Sequence, residues 1–194
     1  MNDTTSTTPI WRPAALGLIA VLALIAMIRV LPDYMRPMNF VPIGALCLFA
    51  GARLRGLAAI VLPLSVLLLT DVILWDQRGY PIEPMTYVAF GVYIALGAGL
   101  LRRTESPTWV TGAAFTGSIL FFVITNFYAW VAQAMPYPQT FAGLMTCYEM
   151  GIPFYTATFM SDLMFSYSVF AAHAYLTRAA FPQEQIVPQM EMTS

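Results

Sequence analysis

The side chains in this chain that could bind or react are few. They are Asn39, Asp71, Asp162 and a group within one stretch, namely Asn126, Trp130, Tyr137, Thr140, Cys147, Tyr148 and Glu149. Amides, hydroxyls, aromatic rings, one thiol and isolated carboxyls suit hydrogen bonding to a small organic molecule. Group-transfer chemistry would need a nucleophile beside a base, and no HExxH, GxSxG or CxxC pattern occurs. No P-loop is present, so ATP hydrolysis by this chain is not expected. His173 has no Cys or second His at metal-ligand spacing, and neither a metal nor a cofactor is expected.

Each candidate also has a plainer role. Asn39 and Asn126 suit helix capping as well as ligand contact. Asp71 and Asp162 could be neutral, or paired with Arg29 or Arg36. Trp130, Tyr137 and Tyr148 fit an interfacial aromatic belt, and their company with Thr140 and Glu149 is what favours a site. Cys147 suits an inert small residue as well as a ligand for a metal-containing substrate. His173 reads as a hydrogen-bonded core histidine.

The segment that must position most of these groups runs from Thr125 to Phe154. It holds Pro136, Pro138 and Pro153, several polar residues and no Lys or Arg. A solvent loop would carry charge, and three prolines with a glutamate argue against a lipid-facing helix. Irregular backbone at membrane depth is tolerated where protein or a water-filled cavity receives its polar groups. The segment is therefore expected to be a packed, partly irregular roof over a cavity. Gly143 and Gly151 should bracket a short helical turn that gates it, with Tyr148 or Glu149 facing inward.

The rest of the chain is a membrane protein by composition. Of its 194 residues 59% are hydrophobic and 10% charged, with a mean hydropathy of +0.69. Soluble domains carry about 25% charged residues. All nine basic residues are Arg, without a basic run, so no nucleic-acid partner is implied. Cys47 and Cys147 lie on dissimilar segments and are expected to be free thiols.

Six spans are predicted, an all-α bundle over residues 14–181 between tails at 1–13 and 182–194. The first, Ala14 to Leu31, ends in Pro32-Asp33 rather than a small-residue cleavage site, and is read as retained. Its Gly17, Ala20, Ala23 and Ala26 suit close helix packing, inside the molecule or on a partner. The second is short, Val41 to Ala52, beginning near an Asn39 cap. The third runs from Leu57 to Trp75 and the fourth from Pro84 to Leu101, with Gly91, Ala95 and Gly99 as its packing face. The fifth covers Trp109 to Ala132, and the sixth begins near Pro153 or Thr156 and ends at Ala180.

Arg12, Arg53, Arg55, Arg102, Arg103 and Arg178 flank one side of such a bundle, against Arg36 and Arg78 with Arg29 at the border. The positive-inside rule then places both termini in the cytoplasm and the Thr125–Phe154 segment outside. On that topology Asn39, Asp71, Asn126, Trp130 and Asp162 all fall in the outer half. Polar groups at such depth face the bundle interior or water. The expected site is an outward pocket built from Asn39, Asp71, Asn126, Trp130, Tyr137, Thr140, Cys147, Tyr148 and Asp162.

The stretches NFVPIGALCLFAG, LLLTD, TNFYAW, YPQTFAGLMTCYEMGIPF and SDLMF resemble an uncharacterised bacterial inner-membrane family described as transport proteins. The resemblance covers roughly residues 30 to 175. That family is similar in size and layout to the substrate-binding S components of energy-coupling-factor (ECF) vitamin transporters. The resemblance implies capture of a small organic micronutrient, such as a vitamin, by a non-enzymatic protein of the inner membrane. It also implies partners in the lipid bilayer, a transmembrane coupling subunit with its ATPases. The small residues of the first span recur every three positions, which departs from the Ala-xxx-Ala face on which S components meet that subunit. An accessory or structural subunit of a larger membrane complex is the alternative reading, and an integral-membrane enzyme stands third.

Overall fold

A computed structural model describes residues 12–35 and 39–184. Arg36, considered above as a carboxylate partner, and most of the two expected tails lie outside these residues. Among the described residues the regular structure is all helical. The elements are α1 (Pro13–Ala26), α2 (Ile43–Arg53), α3 (Ala58–Arg78), α4 (Pro84–Leu100), α5 (Pro107–Val131) and α6 (Phe141–Ala179), with short 3-10 turns at Met27–Val30, Asp33–Met35 and Pro182–Glu184.

The helix ends follow from local chemistry. Pro13, Pro84 and Pro107 open α1, α4 and α5, where a missing N–H costs no helical bond. Gly79 closes α3 in the left-handed region at φ 68°, its N–H bonded to the Trp75 carbonyl. Thr140 caps α6, its Oγ1 accepting from the Gly143 N–H at 3.2 Å. Three segments, Pro13–Val30, Ala58–Arg78 and Pro107–Val131, are long and apolar enough to cross a membrane.

The bundle is arranged around α2, all eleven residues of which are buried. It packs on α1, α3, α4, α5 and α6. Because protein encloses it, its length does not have to match the bilayer. The α2–α4 crossing is closest at two reciprocal glycines. A Cβ on Gly51 would sit 2.1 Å from the Ile94 carbonyl oxygen, and one on Gly97 would sit 2.1 Å from that of Leu48. Backbone thus lies directly on backbone.

Several expectations are corrected here. Helix α2 begins at Ile43, and Asn39 is no cap: it stands before the helix at φ 59°, with its carbonyl accepting from the Val41 N–H. On α4, Gly91 and Gly99 face open space and Ala95 is exposed, so the packing face is Ala89, Phe90, Tyr93, Ile94 and Gly97, with Leu101 buried just beyond the helix. The small-residue set of α1 is not overturned but divided: Ala26 packs inside with Ala15, Ile19 and Leu22, while Gly17 and Ala20 point outward, the side left for a partner.

The largest correction concerns the segment between the last two expected spans. Helix α5 continues to Val131 and α6 starts at Phe141, leaving only residues 132–140 irregular. Pro153 lies inside α6, which runs unbroken for 39 residues, about 58 Å at ~1.5 Å per residue. Helices α5 and α6 form an antiparallel hairpin. Its seam is marked by Cys147 on the Asn126 carbonyl, the Tyr148 hydroxyl donating to the Val123 carbonyl at 3.1 Å, ring contacts of Phe122 with Tyr148 and Tyr155, and Phe115 on Phe159. Gly143 and Gly151 are not hinges around a separate turn. Both are helical and buried, Gly143 against the Pro138 carbonyl and Gly151 against Asn126 and Phe122.

Candidate functional site

The two faces of the hairpin that meet the start of α4 leave a cavity of about 290 Å³. Helix α5 supplies Ser118, Phe121, Phe122, Thr125, Asn126, Tyr128 and Ala129. From α6 come Gly151, Phe154, Tyr155 and Thr158. Glu83, Met85 and Thr86 contribute from the start of α4, with Asn39 ahead of α2 and Ala134 and Met135 from the hairpin turn. The spacing on both long helices is that of one helical face: 118, 121, 122, 125 on α5 and 151, 154, 155, 158 on α6.

Polar atoms in the wall are already oriented. Ser118, Thr125 and Thr158 donate their hydroxyl protons to the carbonyls of Phe115, Phe121 and Phe154 at 2.8–3.0 Å. Asn126 Nδ2 donates to the Phe122 carbonyl at 2.8 Å, which leaves Oδ1 directed at the bare backbone of Gly151. The ionisable side chains among the cavity's described lining residues are Glu83, Tyr128 and Tyr155. The wall can therefore hold an organic molecule by hydrogen bonds and ring faces. Among the described residues no group of three or more His, Cys, Asp or Glu could hold a metal ion.

Of the residues expected to build a pocket, the structure brings Asn39 and Asn126 to this cavity. The others are elsewhere. Trp130 clips the hairpin turn, its indole N–H donating to the Pro138 carbonyl at 2.9 Å while its own carbonyl accepts from Gln139. Thr140 is the α6 cap, and Tyr137 sits half-buried in the turn. Cys147 is buried on the α5–α6 seam as a free thiol, as is Cys47 in α2. Tyr148 lines a second, apolar cleft of about 370 Å³ with Met85, Val123, Phe127 and Val131, and Glu149 is exposed.

The two aspartates, Asp71 on α3 and Asp162 on α6, are held by protein. Asp71 forms an ion pair with Arg29 and accepts from the Tyr87 hydroxyl at 2.7 Å, and Arg29 also donates to Thr70. Asp162, 1% exposed, accepts from the buried hydroxyl of Tyr93. It lies one helical turn beyond Thr158 on the side away from the hairpin turn. A Cβ on Gly44 would fall 2.1 Å from Asp162 Oδ1, so α2 makes room for this carboxyl.

At the opposite end of the bundle is a polar cluster that the sequence reading did not assemble. Arg53, 1% exposed, donates to the Leu101 carbonyl at 2.8 Å and to Glu105 at 3.0 Å, and lies over the Phe170 ring. His173 Nδ1 is 2.5 Å from the same Glu105 oxygen, so the expectation of a hydrogen-bonded core histidine holds. Burial raises the Glu105 pKa, but the His173 and Arg53 contacts outweigh it and hold the carboxyl below its ordinary range. Glu184 folds back over the start of α1 and accepts from the Ala14 and Ala15 N–H groups at 2.9 and 3.3 Å. These bonds join the two ends of the helical unit.

The cavity set was partly hidden because its signal is a pattern rather than a motif. Ser118, Thr125 and Thr158 read as ordinary small polar residues in apolar helices, and only their i, i+3, i+4, i+7 company with aromatics marks a wetted face. No curated protein matches the chain, and no solved structure does. Residues 10–186 match the family of unknown function DUF6580, and the chain belongs to that family.

Proposed function

We propose that this chain is a six-span protein of the bacterial inner membrane that captures a small organic micronutrient from outside and passes it inward. The observation that carries this reading is the 290 Å³ cavity between α4, α5 and α6, with a mixed hydroxyl, amide and aromatic wall. Ligand sites combine an apolar lining with a few convergent polar groups, and pockets start at about 300 Å³. On this reading both termini are cytoplasmic, by the arginine count, and the hairpin turn is outside. The energy for uptake comes from partner subunits, a transmembrane coupling protein and ATPases, as the resemblance to S components implies. The outward Gly17 and Ala20 of α1 give a partner helix room to approach closely.

Cysteine labelling on a Cys-free background tests the orientation. Pro138→Cys should react with an impermeant maleimide from outside, and Thr104→Cys only after permeabilisation. The reverse pattern would turn the cavity toward the cytoplasm and remove the uptake reading.

A further inference from the structure

We infer that the cavity takes a donor-rich organic cation, an amine or amidine carried on one or two rings. This inference rests on the reading of the cavity as a capture site and adds the class of ligand. Its basis is the single carboxylate of the wall together with the direction of four hydrogen bonds beside it. Ser118, Thr125 and Thr158 each spend their single hydroxyl proton on a carbonyl of their own helix. What remains toward the cavity is acceptor lone pairs. Asn126 spends one of its two Nδ2 protons in the same way and leaves its Oδ1 facing Gly151 without a hydrogen-bond donor. These four oxygens are satisfied by a ligand that brings donors, or by water.

Charge points the same way. Glu83 is the lone carboxylate in the wall, and no Arg or His lines the cavity among the described residues. Glu83 occupies the residue before α4, where a negative charge suits the helix dipole. Its side chain makes no capping bond there. An intramembrane or interfacial carboxylate without a cation is a strong recognition element for one. The rings of Phe121, Phe122, Tyr128 and Tyr155 complete the environment, since aromatic faces attract a desolvated cation. Asn39, Tyr128 and Tyr155 keep side-chain donors in the wall, so what disfavours an anion is the Glu83 carboxylate with no Arg or His to offset it among the described lining residues. The volume, about 290 Å³, matches a ligand of one or two rings.

The test uses three probes of nearly one shape, benzamidine, benzamide and benzoate, titrated against the full chain in nanodiscs and read by saturation-transfer NMR. Benzamidine should bind about tenfold more tightly than benzamide, the equivalent of one charge-assisted hydrogen bond, and benzoate most weakly. Glu83→Gln should bring benzamidine to within about twofold of benzamide, and Thr158→Val, which removes one acceptor, should weaken benzamidine several-fold. Benzoate binding as well as benzamidine, or a benzamidine affinity indifferent to both substitutions, overturns the cation assignment and leaves the capture site standing. If no probe binds the wild type any better than it binds Ala129→Phe, whose ring fills the cavity, the capture reading fails and the inference goes with it.

Discussion

The hydroxyl of Tyr93 on α4 donates to the carboxyl of Asp162 on α6, with both side chains buried and with Gly44 and Gly117 leaving the space they occupy. This bond ties α4 to α6 at mid-bundle, one helical turn from the cavity. Tyr93 is its donor, and no basic side chain contacts Asp162 among the described residues. Tyr93→Phe leaves the carboxyl without that partner and should cost about 1–3 kcal/mol. Asp162→Asn keeps an acceptor oxygen of the same shape and should cost less than about 1 kcal/mol. Thermal unfolding in detergent checks the order, and the opposite order would contradict this account of the pair.

The α2–α4 crossing makes a sharper prediction, because the glycines of this chain fall into two classes. Gly51→Ala and Gly97→Ala would each drive a Cβ into a backbone carbonyl oxygen that cannot swing away, and should cost several kcal/mol. Gly17→Ala and Gly91→Ala meet open space and gain helix propensity, so they should be neutral or stabilising by about 0.5–1 kcal/mol. Equal losses at all four positions would mean that the crossing is not the close contact described.

Much of this fold was legible because apolar runs in the chain are bounded by prolines and arginines. The limits of α3, α4 and α5 fall within about three residues of those expected from the sequence. The start of α6 did not, since Pro153 reads as a breaker while inside α6 it gives up only the bond to the Glu149 carbonyl. With the helix start misplaced, Trp130, Thr140, Cys147 and Tyr148 looked like residues of a roof. They are in fact the cap, clip and seam of a helical hairpin. Asp71 and Asp162 illustrate a second limit. An acidic residue in a span states that a partner exists, but Arg29 and Tyr87, or Tyr93, become visible as partners only when the helices are placed.

The cluster at the other end of the bundle predicts a pH dependence. Glu105 has a folded-state pKa below its ordinary value, so the folded protein binds fewer protons than the unfolded chain as this group titrates. Its contribution is complete above the ordinary carboxylate pKa and is lost as the pH falls through the folded value. Wild-type stability should therefore drop on acidification through the carboxylate range, and the drop should be smaller in Glu105→Gln. Unfolding midpoints measured from pH 7 down to pH 3 decide the matter. A profile unchanged by the substitution would remove Glu105 from the stabilising network.

The central claim is that the cavity between α4, α5 and α6 holds a small molecule. Native mass spectrometry of the protein released from gentle detergent tests it most directly. The account predicts a discrete small-molecule adduct on the wild type that is absent from Ala129→Phe, while Gly91→Ala keeps it. An adduct retained at equal occupancy by folded Ala129→Phe, or no adduct from wild-type protein purified out of its own membrane, would contradict it.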